Sequence, residues 1–176
     1  MIFLGVVFSR LLQAVKLQRD AFVWMDFNDR ATGDAAILVA ITQLLIALGL
    51  GTSFFDLLNP LTLVQLLIGA LFTWVVYSGA VYLVSRFLLD GTGHYAIYLR
   101  VTGFAYPTLL LIVFTSILLS NPTLALALGG VWFVVVVAHG LMYTVDLPRP
   151  KAFLAAIGGF VVVVTVQAIF GSILAF

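Results

Sequence analysis

Five apolar stretches constrain this chain more than any other feature. They run over Ala35–Phe55, Leu61–Ser85, Thr102–Leu119, Pro122–Val145 and Lys151–Phe176. A helix needs roughly 20 apolar residues to cross the hydrocarbon of a bilayer. Inside lipid the backbone must satisfy its own hydrogen bonds, which a helix does within one segment. The expected fold class is therefore all-α integral membrane, with five transmembrane helices preceded by an amphipathic N-terminal helix. Composition agrees: 64% of the 176 residues are hydrophobic and 9% are charged, against about 25% charged in a soluble domain. Such a chain cannot cover itself in water, so the lipid bilayer is its first partner.

The breaks between stretches carry recognisable punctuation. Asn59-Pro60 and Asn121-Pro122 each place an Asn N-cap before a Pro at the first helical position. Asp90-Gly91-Thr92-Gly93 is a turn cluster, and Leu147-Pro148-Arg149-Pro150 ends the fourth span. Pro107 is expected early in the third span, where a missing N–H does least harm. The chain thus divides into a cytoplasmic or interfacial segment, 1–34, and a five-helix domain, 35–176.

In the first segment Ser9, Arg10, Gln13, Lys16 and the run 18–20 share one helical face, and Phe3, Leu4, Val7, Phe8, Leu11, Leu12 and Val15 fill the other. That pattern suits a helix lying in the membrane interface, with Phe22 and Trp24 as further anchors. It suits equally a helix packed against the bundle. The opening run 1–5 has neither a basic leader nor a small-residue cleavage site after it and is expected to belong to the mature chain.

Orientation follows from the basic residues. Arg10, Lys16, Arg19 and Arg30 precede the first span, Arg86 and Arg100 lie between the second and third, and Arg149 and Lys151 between the fourth and fifth. The remaining loops, 56–60 and 120–121, have none. The positive-inside rule then places the N-terminus in the cytoplasm and the C-terminus outside. Four or six spans would spoil this segregation.

Within the spans the polar and small residues recur at helical spacing. Ala36, Ala40, Gln43, Ala47 and Gly51 form one stripe, and Thr62, Gln65, Gly69 and Thr73 another. Ala125 with Gly129, and Ala155 with Gly159, are spaced four apart. Such stripes let backbones approach, with amides bonding across the contact. Gln43, Gln65, Gly69, Gly129 and Gly159 are accordingly expected at helix contacts; a polar pore lined by Gln43, Gln65 and Gln167 is the alternative. His139 lies inside the fourth span, about 10 Å from its cytoplasmic end, with Tyr143 one turn below. A buried imidazole can ligate a metal or pigment. A neutral structural histidine bonded to a hydroxyl or carbonyl is the preferred reading.

Catalysis finds little support. With no Cys, thiol nucleophiles, thiolate metal sites and disulfides are excluded. No Ser stands in a nucleophile setting and no carboxylate pair lies within a span. No phosphate-loop or metal-ligand spacing occurs. A formal net charge of +1 provides no field to recruit nucleic acid.

Two stretches resemble a known family. Arg86-Phe87-Leu88-Leu89-Asp90-Gly91-Thr92-Gly93-His94, leading through Tyr95 to Gly103-Phe104-Ala105-Tyr106-Pro107, is similar to the segment between the second and third helices of bacterial members of the Yip (Ypt-interacting protein) domain family. There a Gly-rich turn leads into a helix ending in a Gly/Ala–aromatic–Pro run. Gly130-Val131-Trp132 through Leu147-Pro148-Arg149-Pro150-Lys151-Ala152 resembles that family's fourth span, basic loop and closing span. The resemblance extends from about Ala35 onward. It implies five spans, a cytoplasmic N-terminus and, from the bacterial members, an inner-membrane setting. Eukaryotic relatives bind lipid-modified Rab-type GTPases and carry a cytosolic Asp-Leu-Tyr-Gly-Pro motif. Asp56-Leu57-Leu58-Asn59-Pro60 has Leu58 for Tyr and Asn59 for Gly and falls on the opposite side, so that role is not carried across.

The resulting expectation is a non-catalytic membrane protein without cofactor, acting through contacts as a scaffold, assembly factor or accessory subunit. Its further partners are other membrane subunits or copies of itself. The alternatives are a small transporter or channel, and a cofactor- or pigment-binding subunit using His139.

Overall fold

A computed structural model describes residues 2–119 and 121–173, and these are helical with no strand among them. Two helices precede the membrane domain, α1 (Ile2–Val15) and α2 (Arg19–Phe27). The domain itself comprises α3 (Ala31–Gly49), a short α4 (Phe54–Leu57), α5 (Pro60–Leu83), α6 (Tyr95–Ala105), α7 (Leu111–Leu119), α8 (Pro122–Thr144) and α9 (Arg149–Ile173). A π-turn, Val84–Leu88, extends α5, and a 3₁₀ segment, Tyr106–Leu110, joins α6 to α7. Five helical units are long and apolar enough to cross a membrane: Ala31–Gly49, Pro60–Leu88, Tyr95–Leu119, Thr123–Thr144 and Arg149–Val166.

Local chemistry accounts for the ends. Asn59 accepts from the Leu61 amide, and Asn121 from those of Thr123 and Leu124, each ahead of a Pro. Helix α3 stops at Gly49 because Gly51 turns left-handed, at φ +99°, while the Thr52 amide reaches back to the Ala47 carbonyl. The span therefore ends sooner than Phe55. The same closure ends α1, with Leu17 at φ 60° and the Gln18 amide bonded to the Gln13 carbonyl. A left-handed non-glycine residue costs about 1–2 kcal/mol, so the break between α1 and α2 is held by contacts on either side of it.

Those contacts are apolar. Ala14, Ala21, Phe22 and Met25 are wholly buried, and Val7 and Leu11 pack against the core. The single N-terminal amphipathic helix is thus two helices, and α2 lies against α6 and α8. Helix α1 keeps a second apolar side, Val6, Phe8 and Leu12, exposed. Packing on the bundle and an exposed apolar face therefore coexist.

Helix α6 is the hub, touching α1, α2, α3, α5 and α8. Ile97, Tyr98 and every residue from Arg100 to Ala105 are buried. A Cβ on Gly103 would press on Ala35 and Trp74, so only glycine lets α3 and α5 come this close. The third span starts at Tyr95, seven residues before the apolar stretch suggested, because Arg100 lies within it. Pro107 consequently falls mid-span, where the ladder switches to 3₁₀, not in the first turn. Helix α9 packs against both α5 and α8, and α7 against α8.

Candidate functional site

The densest polar organisation lies at one end of the bundle, and Arg100 is its centre. Its side chain is 6% exposed. Nε donates to Thr32 Oγ1 at 2.9 Å, Nη1 to the carbonyls of Met25 and Asp26 at 3.0 and 3.1 Å, and Nη2 to Asp29 Oδ1 at 2.7 Å. The two carbonyls belong to the last turn of α2, where helix geometry leaves acceptors unpaired and the dipole favours a cation. One guanidinium thus closes α2, holds the turn into α3 and joins both to α6. A guanidinium carries five N–H donors, and this one uses all three nitrogens. Sequence reading counted Arg100 only as a loop charge. The available signal was its place inside Tyr95–Ala105, an otherwise helical run in which it is the only charge.

Deeper in, Trp74 Nε1 donates to Thr102 Oγ1 at 3.0 Å, and the Ser78 and Thr102 hydroxyls share a bond of 2.6 Å. The Tyr77 hydroxyl donates to the Ala156 carbonyl at 3.1 Å, tying α5 to α9. Near the basic end the Ser85 and Tyr98 hydroxyls lie 2.6 Å apart. Gly91 sits so close to Ser85 that any Cβ would collide with it, and its amide bonds the Ser85 carbonyl. Arg86 donates to the Gly91 carbonyl, and Lys151 to Leu89 and Asp90. Apart from the local bonds of Gly91 with Ser85 and Arg86, these bonds join separate elements, which is how buried polar groups specify one arrangement.

The residues singled out by spacing have different surroundings. Gln43 Oε1 accepts from the Tyr106 hydroxyl at 3.2 Å, bridging α3 to the 3₁₀ segment. Gly129 backs onto Ile112, and Gly159 onto Val81 and Tyr77. Gln65 is exposed, and Gly69 is exposed with nothing near its Cβ position. Gln65 and Gly69 thus face outward, while Thr73 of the same stripe is half-buried and lines a cavity inside the bundle; hydropathy period alone does not say which side of an all-apolar helix has a neighbour. Gln43 bonds Tyr106 whereas Gln65 is exposed on α5, and Gln167 lies outside the residues whose side chains are described.

His139 also departs from expectation. Its ring lies 5.3 Å from that of Tyr143, edge-on, and 6.4 Å from Phe22, so its neighbours are aromatic rather than a hydroxyl or carbonyl on another span. Arg19 stands over the Tyr143 ring at 5.8 Å. Among the described residues no three His, Asp or Glu side chains gather as a metal site. A cavity of about 90 Å³ lies between α5, α8 and α9, lined by Trp74, Tyr77, Tyr106, Phe133 and Phe160. Its walls are mainly aromatic and apolar, and the Tyr77 and Tyr106 hydroxyls are already bonded to the Ala156 carbonyl and to Gln43.

No curated protein and no solved structure matches the chain. The Yip1 domain matches residues 19–171, from the first residue of α2 almost to the end of α9. The match takes in α2 together with all five spans, the same body that Arg100 knits together, and the chain therefore belongs to the Yip1 domain family.

Proposed function

We propose that this protein is non-catalytic and works through contacts, as a scaffold, assembly factor or accessory subunit of a larger membrane complex. The observation that carries this reading is where its polar groups go. Arg100, Trp74, Ser78, Tyr77, Ser85 and Tyr98 are engaged in fixing one helix to another. They build a rigid body whose perimeter is apolar, with Ile68, Phe72, Phe114 and Ile117 among its exposed residues. The distribution of Lys and Arg supports an N-terminus in the cytoplasm and a C-terminus across the membrane, and the resemblance to bacterial members of the family supports a bacterial inner membrane. Purification in mild detergent from native membranes, with identification of the chains that accompany it, is the test. A defined stoichiometric partner is the expected result. A homogeneous, solitary protein that moves a solute in reconstituted vesicles would overturn it.

A further inference from the structure

Helix α1 leaves an apolar strip exposed on the side away from the bundle. Phe8 is 61% exposed and Leu12 43%, and the two stand four residues apart, one above the other on the helix. Lys16, also exposed, continues the line by one more turn, and Ser9 and Gln13 form a polar edge beside it. The opposite side is fixed to the bundle through Ala14, Val7 and Leu11.

What the strip meets follows from the level at which α1 is docked. Helix α3 has 19 residues. That is about 28 Å at 1.5 Å per residue, against ~30 Å for the hydrocarbon of a bilayer. A span of that length has none to spare, so the hydrocarbon begins close to Ala31. Gly103 of α6 backs onto Ala35, one turn inside that point. The next residue, Phe104, packs edge-on against Trp24 of α2, with ring centres 5.9 Å apart. The Arg10 guanidinium of α1 lies over the same Trp24 ring at 5.8 Å. This run of direct contacts, from α3 through α6 and α2 to α1, sets α1 beside the first turns of the membrane domain and not above them. Its neighbours α6 and α8 belong to spans. An apolar side chain pointing away from the bundle at this level points into the leaflet.

We propose that α1 lies in the plane of the membrane at the basic end of the bundle, with Phe8 and Leu12 among the acyl chains of that leaflet and Lys16 at the level of its headgroups. The strip supplies the apolar contact that an interfacial helix needs, and Ser9 and Gln13 give it a wet edge. The Lys16 stem is long enough to lie along the strip while its ammonium reaches the phosphates. Arg10 is engaged with Trp24 and with Gln13 Oε1, which leaves Lys16 as the cation of this strip.

The chain has no Cys, so single spin labels can be introduced without other changes. Phe8→Cys, Ser9→Cys, Leu12→Cys and Lys16→Cys are labelled in the full chain, with Phe114→Cys as a reference on a span. Each is reconstituted in vesicles of phosphatidylcholine and phosphatidylglycerol. Collision with oxygen, which concentrates in hydrocarbon, is compared with collision with a water-soluble nickel chelate. Labels at positions 8 and 12 should favour oxygen, as that at 114 does, and labels at 9 and 16 should shift toward the chelate. Val7→Cys, on the packed side, should give an immobilised spectrum, the sign that α1 is still docked. Labels at 8 and 12 that meet the chelate as freely as that at 9 would place the strip in water and overturn the proposal. So would labels at 8 and 12 shielded from both reagents, which would assign the strip to a protein partner or a second copy of this chain. A freely mobile label at position 7 would overturn it as well.

Discussion

Arg100 shows how much a single side chain can organise in a bundle that is otherwise nearly all hydrocarbon. It is buried, while its carboxylate partner Asp29 is fully exposed. The ion pair is therefore the lesser part of the interaction. The bonds to Met25 and Asp26 matter more, because carbonyls in that last turn would otherwise lack a donor. Asp29→Asn should leave the melting temperature in detergent unchanged. Arg100→Met should cost about 3 kcal/mol, on the scale of charge-assisted bonds lost from a buried site, and should expose the break near Lys16 to limited proteolysis. Equal effects from both substitutions would show that the ion pair carries the contact. His139 is the opposite case, a polar group among rings. His139→Gln should cost about 1 kcal/mol or less, the scale of polar contacts between membrane helices. Absorption spectra and metal analysis of wild type and variant should be alike; a chromophore or metal lost with the substitution would make the imidazole a ligand.

Among the elements, α6 and α9 depend on close approach, and glycine decides where it happens. Gly159 lies against Val81 and Tyr77, beside the bond from Tyr77 to the Ala156 carbonyl. Gly159→Leu should destabilise the protein by about 1–3 kcal/mol, the usual cost of overfilling a packed contact. Gly69→Leu, on an outward face, should be tolerated. Thermal unfolding in detergent compares the two, and equal losses would mean that Gly69 meets a partner outside this chain. The N-terminal helices obey another rule. Their amphipathic pattern is compatible with water, lipid or protein on the apolar side, and only neighbours choose. Phe22 and Met25 are buried because α6 and α8 present complementary surfaces, while Phe8 on α1 stays outside.

For the whole molecule, contacts gather the basic segments at one end. Arg100 reaches α2, Lys151 reaches Asp90, Thr92 bonds the Val145 carbonyl, and Arg19 meets Tyr143. Reporter fusions at Gly91 and Arg149 should read as cytoplasmic, and fusions within the 56–60 loop and at Phe176 as external. A cytoplasmic C-terminus would remove the odd number of crossings and with it the proposed orientation.

The five crossings were legible in the amino acids because the bilayer imposes one demand, an apolar length near its own thickness, that composition answers directly. The Asn-Pro starts were legible for a similar reason, since a cap bonds amides two or three residues away. Arg100 was not. A hydropathy reading excludes a charge from a span, whereas its burial rests on acceptors some seventy residues distant that only folding brings together. Gln65 and Gly69 recur at helical spacing as Gln43 and Gly159 do in their stripes, yet the first two face outward and the others meet neighbours. Periodicity describes a helix in isolation; which face is covered is settled by the helices placed around it, and in a chain apolar on every side nothing local records that choice.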